Sequence, residues 1–236
     1  MLALRVISIC FFLSITNLGF GQRTKLPYLP DYEYEWLHFG FTLGINQSNF
    51  ILFPADVANN PDSVLSVESL PELGFNLGII ADLKLHQYAT LRFIPALSFQ
   101  DRSIEYTIHY FSPSDAVLPL KKKVESTLLD FPLNLKIRSE RMNNLAGYLL
   151  TGGKVSIDLA SQKNTKNPEL VKLNSTDWSF EVGGGIDFYF EFFKFSTEIK
   201  FSVGLKDRLI HEPTLYSYPI NKLITKIWLI SINFEG

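Results

Sequence analysis

The chain has little cysteine and few histidines. Its one cysteine, Cys10, lies in an apolar stretch near the amino terminus, so the remainder offers no thiol nucleophile, disulfide framework or thiolate metal site. His38 and His86 have no partner at the spacing of metal ligands, and no metal or cofactor is expected. The formal net charge of −2 is not that of a dedicated nucleic-acid binder.

Beyond residue 21 the chain also lacks any run of about 18 apolar residues, so a membrane-spanning helix is not expected. Residues 1–21 themselves are predicted to be a cleaved secretory signal peptide. Arg5 gives a positive start, residues 6–15 are apolar, and GFG at 19–21 supplies small residues for cleavage. Residues 22–36 are polar and are predicted to be a periplasmic lead-in to a single domain over 37–236.

What the chain does have is alternation of apolar and polar residues with a period of two. In GFNLGIIADLKLHQYATLRFIPALSFQDR, residues 74–102, apolar side chains hold every second position on both sides of HQY. This alternation predicts β-strands with two unlike faces. The predicted strands are eight in number, over 37–45, 74–85, 91–99, 124–138, 146–160, 177–190, 193–205 and 223–235.

The connections between these segments alternate in length. The short ones are 86–88, 139–144 and 190–193, and the long ones are 46–71, 110–121, 161–176 and 206–221. Short turns at one end and long loops at the other are typical of bacterial outer-membrane barrels. The predicted fold is therefore all-β, an eight-stranded antiparallel up-and-down transmembrane β-barrel in the outer membrane, with both termini in the periplasm.

One face of the predicted strands is apolar and aromatic, whereas the other mixes glycines with charges of both signs. Glycines weaken an exposed strand, but an eight-stranded lumen has room only for side chains and needs small residues opposite long ones. The charged face is therefore predicted to line the lumen, and the apolar face to contact outer-membrane lipids. Because buried charges must be paired, the near balance of signs favours a plugged lumen over a selective pore. The predicted lumen charge network consists of Asp82, Lys84, Arg92, Asp130, Lys136, Arg138, Lys154, Asp158, Glu181, Asp187, Lys194, Glu198 and Lys200.

Aromatic residues at the two ends of the apolar face are expected near the lipid headgroups. They are Tyr34, Trp36 and Tyr88 at one end and Tyr106, Tyr110 and Trp178 at the other. The alternation changes phase near 101–103, where a β-bulge or the membrane rim is predicted. Lys121, Lys122 and Lys123 are a candidate contact for lipopolysaccharide phosphates, since lysine is a compact phosphate partner, with a solvated rim as the default.

Two other interpretations fit the sequence less well. A soluble, lipocalin-like barrel would place the apolar face inside, but the glycines, the loop lengths and the aromatic last strand IWLISINFEG argue against it. A catalytic Ser–His pair needs hydrogen-bond reach and an orienting carboxylate, and the spacing of the candidates does not require either. The candidates are His109, Ser103, Ser112 and His211. No catalytic residue and no enzymatic activity are therefore predicted, and Asp56 and Asp62 lack the calcium-loop pattern.

Three stretches carry a family resemblance. GFNLGIIADLKL with LRFIPALSF, ESTLLDFPLNLKIRSERMNN, and EVGGGIDFYFEFFKFSTEIKFSVGL resemble the PorT family of Bacteroidetes-type bacteria. The resemblance covers about 37–235 and implies an outer-membrane β-barrel needed for type IX secretion and, in some relatives, for gliding motility. It implies other secretion-system proteins as partners and no catalytic or ligand residues. The alternatives are a small outer-membrane channel or generic structural barrel, and a lipid-modifying enzyme at the rim.

Overall fold

The computed structural model describes residues 28–55, 64–110, 116–160, 171–212 and 214–236. The predicted signal peptide lies outside the described residues. A short 3-10 helix, Asp31–Glu33, precedes the strands. The strands are β1 Leu37–Pro54, β2 Val64–His86, β3 Ala89–Phe93, β4 Ala96–Tyr110, β5 Ala116–Arg138, β6 Leu145–Asp158, β7 Thr176–Tyr189, β8 Lys194–Gly204 and β9 Ile220–Glu235.

The strands form one antiparallel sheet that closes into a ring through the pairing of β1 with β9. β3 and β4 are two parts of one spanning strand, because both keep the same register against β2 and β5. The strand is interrupted at Pro95, which faces the neighbouring Pro132 region and has no N–H for the ladder. Its carbonyl still accepts from the Ile79 N–H at 3.0 Å. The predicted eight-stranded antiparallel barrel is confirmed.

The register defines how steeply the strands wind around the barrel. Paired residues followed once around the ring from Leu37 return to β1 at Gln47, ten residues further along. With ordinary strand spacings this stagger tilts the strands by roughly 40° from the barrel axis. A barrel of this size has an interior just wide enough for side chains to fill.

The apolar face points outward. Phe39, Ile79, Leu149 and Ile230 are each 60–71% exposed in the isolated chain, which is untenable in water but expected against lipid. The soluble alternative with an apolar interior is therefore wrong for this part of the barrel. No helix among the described residues is long and apolar enough to cross a membrane.

The barrel has two unlike ends. At the turn end, short connections follow β2, β5 and β7, and the described chain begins and ends there, with Tyr28 bonded to Asn144 and Gly236 to Phe39. At the loop end, β2, β4 and β5 continue beyond the apolar band as a three-stranded extension, because β1 and β2 stop pairing at Ser48 and Glu72. Residues 46–54, 64–71 and 116–121, predicted as connections, are strand.

The interior of the loop end is apolar, which corrects the interpretation of the phase change. Ile104, Tyr106 and Ile108 point inward and are at most 2% exposed, so Tyr106 does not lie at the lipid headgroups. β4 pairs with β5 without a register break, and the irregularity is in β2, between Pro71 and Phe75. The inward cluster, here called the apolar cap, consists of Phe50, Val64, Ile104, Tyr106, Ile108, Leu173, Leu209, Ile220 and Leu223.

The outward orientation predicts that charge on the apolar band destabilises the barrel. Leu77 lies outward in the middle of this band, so Leu77→Arg is expected to cost about 2–4 kcal/mol of unfolding free energy in lipid vesicles. Leu65→Arg is the matched control, because Leu65 is an exposed leucine on the extension, beyond the band. Equal stabilities of both variants in a urea-unfolding assay would contradict the orientation.

Candidate functional site: the charged interior

A guanidinium group occupies the middle of the lumen. Arg92, fully buried on β3, forms a bidentate pair with Asp82 on β2, with Nε–Oδ1 and Nη2–Oδ2 distances of 2.8 and 2.6 Å. Its Nη2 also lies 2.7 Å from Glu235 Oε1, and its Nη1 lies 3.2 Å from Glu198 Oε2. Planar, charge-assisted bonds of this kind are the strong ones in proteins. One side chain therefore links β2, β3, β8 and β9.

Glu235 is a second centre of the network and extends it to the turn end. Lys194 Nζ lies 2.6 Å from Glu235 Oε2, and the Tyr32 hydroxyl donates to the same oxygen at 3.2 Å. Tyr32 comes from the 3-10 helix that enters the barrel mouth, where its ring stacks on His38 at 3.7 Å. Burial raises the pKa of the Tyr32 phenol, so the hydroxyl stays protonated and able to donate. The residues before β1 thus close the turn end.

A third group connects β5, β6 and β7. Lys136 Nζ lies 2.9 Å from Asp187 Oδ2 and 3.7 Å from the centre of the Tyr148 ring. The Tyr148 hydroxyl donates to Glu198 at 2.8 Å, and Ser196 donates to Asp187 at 2.6 Å. Each buried charge here has both a countercharge and a hydrogen bond, which is the condition for tolerating it in a low-dielectric interior.

Above this level the network continues toward the loop end. Lys154 lies 3.3 Å from Glu181 and 3.7 Å from Asp130, and Lys200 lies 3.5 Å from Glu198 and 3.8 Å from Glu181. The amide of Asn134 donates to Glu181 at 3.2 Å. The lysines and carboxylates alternate around the lumen, so no charge of one sign accumulates.

The uppermost layer lies directly below the apolar cap. Arg208, in the connection after β8, lies 3.4 Å from Asp177 and 3.9 Å from Asp158. Arg102 packs its guanidinium 4.9 Å from the Phe50 ring of the cap and donates to Gln100. A residue from a loop-end connection therefore reaches back into the lumen and helps to close it.

The glycines on the inner face make room for these side chains. A Cβ on Gly185 would lie 2.6 Å from the Tyr148 hydroxyl, and one on Gly183 would lie 2.7 Å from Lys200 Cγ. Both distances are shorter than real Cβ contacts. GGG at 183–185 is thus a close-packing feature of β7, and its middle residue faces outward.

The lumen is filled. Two interior cavities, one lined by Thr42, Gln100 and Lys154 and the other by His38, Lys84 and Asp187, each measure about 30 Å³. That volume is on the scale of a single water molecule. Side chains, and not bulk water, therefore occupy the lumen around these two cavities.

All residues of the predicted lumen network point inward. Lys84 and Arg138 are at the turn-end mouth, where Lys84 donates to the Glu33 carbonyl and Arg138 lies 3.2 Å from Glu33. Five buried charges among the described residues are absent from the predicted network, namely Glu235, Arg102, Asp177, Arg208 and Lys172. The first three follow from the alternation along their strands, for example Glu235 beside the outward Phe234, whereas Arg208 and Lys172 lie in connections without periodicity.

The predicted lipopolysaccharide lysines do not form one cluster. Lys121 and Lys123 point outward on the extension, paired with Glu72 at 2.7 Å and with Asp101 at 3.1 Å. Lys122 points to the other face, with its Nζ 4.5 Å from the Tyr216 ring.

The candidate catalytic residues are also apart. Ser103 donates to Glu72, and His109 lies six residues away on the same strand, roughly 20 Å at strand spacing. His211 pairs with Asp207 at 3.1 Å. Ser112, Asp56 and Asp62 lie outside the described residues, and no group of three or more potential metal ligands occurs among those described.

The closed antiparallel ring, apolar outside and charged inside, defines the class of the protein as a transmembrane β-barrel. The model of the family described as "Outer membrane protein beta-barrel domain" matches residues 21–209. The chain belongs to this family and is an outer-membrane protein. A comparison with curated protein sequences finds no match.

Solved structures similar to this chain are other small outer-membrane barrels. The outer membrane protein OprG from Pseudomonas aeruginosa is 12% identical, with a TM-score of 0.44, over 84% of this chain and 96% of its own. Neisserial surface protein A is 12% identical, with a TM-score of 0.41, over 84% of this chain and 98% of its own. The N-terminal β-barrel domain of Pseudomonas aeruginosa OprF is 14% identical, with a TM-score of 0.36, over 83% of this chain and 97% of its own.

The network predicts a large penalty for removing Glu235. Glu235→Gln leaves the buried Lys194 without its 2.6 Å countercharge and weakens the Arg92 group. Breaking a buried pair from one side costs about 3–5 kcal/mol, to be measured as the free energy of unfolding in lipid vesicles. Glu72→Gln is the control, because its pair with Lys121 is exposed, and it is expected to remain close to wild type. Similar losses in both variants would rule out a special role for the buried network.

Proposed function

We propose that the protein is a structural, non-conducting outer-membrane component required for protein export by the type IX secretion system, with a link to gliding motility. It acts in assembling or holding the export apparatus. Its turn end and both termini face the periplasm, and its loop end faces the outside. Its partners are outer-membrane lipids and other secretion-system proteins, and neither nucleic acid nor an enzymatic substrate is among them.

The filled lumen is the observation that carries the structural part of this proposal. Arg92, Asp187 and Glu198 are at most 3% exposed, and the cavities beside the network are single-water in scale. A barrel that conducts nothing acts through its surfaces. This supports a scaffold over a small-solute channel, the runner-up.

The secretion part rests on the PorT-like stretches, and the structure offers surfaces suited to it. The three-stranded extension of β2, β4 and β5 projects beyond the apolar band and carries its charges outward. At the turn end Phe192, in the connection between β7 and β8, is 85% accessible. Both ends thus present surface outside the bilayer to other components.

Deletion of the gene tests the secretion role. The proposal predicts that type IX cargo disappears from the medium and accumulates in the cell, and that the wild-type gene restores export. The amounts of unrelated outer-membrane barrels serve as the control, because a general assembly defect would lower them as well. Normal export in the deletion strain would refute the role.

The proposed orientation is testable with single cysteines, because Cys10 lies in the predicted signal peptide and leaves the mature chain without a thiol. Val117, 50% exposed on the extension, and Met142, 68% exposed in a short turn, mark the two ends. A membrane-impermeant maleimide is expected to label Val117→Cys in intact cells and Met142→Cys only after the outer membrane is permeabilised. The reverse result would overturn the orientation.

A further inference from the structure

Three lysines border the apolar band on the side of the barrel opposite the extension. Lys226 points outward on β9, directly beside Val203 of β8 and Asn49 of β1. Lys222 is four residues further along the same face of β9, about 13 Å away at strand spacing. Lys206 follows β8 and places its Nζ 5.5 Å from the ring of the outward Trp178. We call this group the rim lysines.

The rim lysines have no acidic partner within ion-pair distance among the described residues. The carboxylates near them are already engaged. Asp207 pairs with His211 at 3.1 Å and accepts the N–H groups of Leu209 and Leu223. Glu212 pairs with Lys172 at 2.7 Å. The rim lysines are thus a local positive charge that the described residues do not neutralise.

The opposite side of the rim differs in this respect. Lys123 is held between Asp101 and Glu125 at 3.1 and 2.9 Å, and Lys121 is held by Glu72 at 2.7 Å. Glu68 and Glu105 also face each other directly across β2 and β4. That side is acidic overall, so the unpaired outward lysines of the described rim lie on β9 and directly after β8.

Aromatic rings lie next to the rim lysines at the border of the band. Trp178 and Trp228 are 48% and 45% exposed, and Trp228 packs on Phe201 at 4.8 Å between ring centres. Tryptophan is enriched at the level of lipid headgroups. The rings therefore place Lys206 and Lys226 near the depth of the headgroup phosphates, with Lys222 further out on the same face of β9.

We propose that Lys206, Lys222 and Lys226 form a binding site for the phosphate groups of an anionic glycolipid, lipopolysaccharide, in the outer leaflet. Lysine is a compact phosphate partner, and lysines near an anionic lipid surface add to binding individually. The acyl chains lie along the outward apolar residues Phe201, Trp228 and Ile230. The assignment to the outer leaflet rests on the proposed orientation of the loop end, whereas the binding itself does not depend on a role in secretion.

Binding of fluorescent lipopolysaccharide to the purified full chain in detergent micelles tests this site. The triple variant K206Q/K222Q/K226Q is expected to bind at least about tenfold more weakly than wild type. K121Q/K122Q/K123Q is the control, because it removes the same number of charges, two on the paired side of the rim and one, Lys122, on the inner face of the extension, and it is expected to bind as wild type does. Dephosphorylated lipopolysaccharide is expected to bind all three proteins equally weakly.

Three results would overturn the proposal. Unchanged binding by the rim variant would exclude the site, and equal weakening in both triple variants would show only general charge attraction. Displacement of the glycolipid by micromolar inorganic phosphate would identify a site for the free anion instead of a lipid.

Heat-modifiable gel mobility verifies the fold of each variant. If the triple variant does not fold, K226Q alone is expected to weaken binding about threefold. A protein that binds as proposed but is dispensable for export would separate this site from the secretion role.

Discussion

The strands of this barrel cross from lipid into water, and the faces of the sheet exchange polarity at that crossing. Below the level of Phe99 the outer face is apolar and the inner face charged, because lipid lies outside. Above that level Asp101 and Lys123 point outward and Ile104 and Tyr106 point inward, as in a water-soluble sheet. β4 keeps its register with β5 throughout, so the backbone continues unchanged while the chemistry of each face inverts.

The charged lumen follows from this constraint and from the narrowness of the ring. With lipid outside, the polar half of each strand has only the interior available, and eight strands leave no room for bulk water. The charges must therefore neutralise one another. Arg92, Glu235 and Lys194 do so while joining strands far apart in sequence. A slip of one residue in any of these strands would turn its charges toward lipid, so the network also helps to define the register.

Much of the fold and of the lumen network could be predicted from the sequence, because the side to which a residue points alternates along a strand and depends only on its neighbours in the chain. The alternation along 74–99 and 177–205 predicts which side chains share the lumen, and Glu235 was available from the same alternation of Ser231, Asn233 and Glu235. The full length of the strands could not be predicted, because beyond the apolar band the apolar residues lie on the other face and the alternation is interrupted. The inward position of Arg208 could not be predicted either, since it depends on how a connection folds back over the lumen. Lys222 and Lys226 share one face of β9, whereas Lys206 joins them only through the pairing of β8 with β9.

The proposed scaffold role requires a barrel whose interior is sealed by paired charges and by the apolar cap. Single-channel recording of the purified protein in planar lipid bilayers tests that claim most directly. A sealed barrel is expected, once folded and inserted, to give no stable conductance steps above the background of the bilayer. Large, stable steps of uniform size would show an open aqueous path through the lumen and would contradict it.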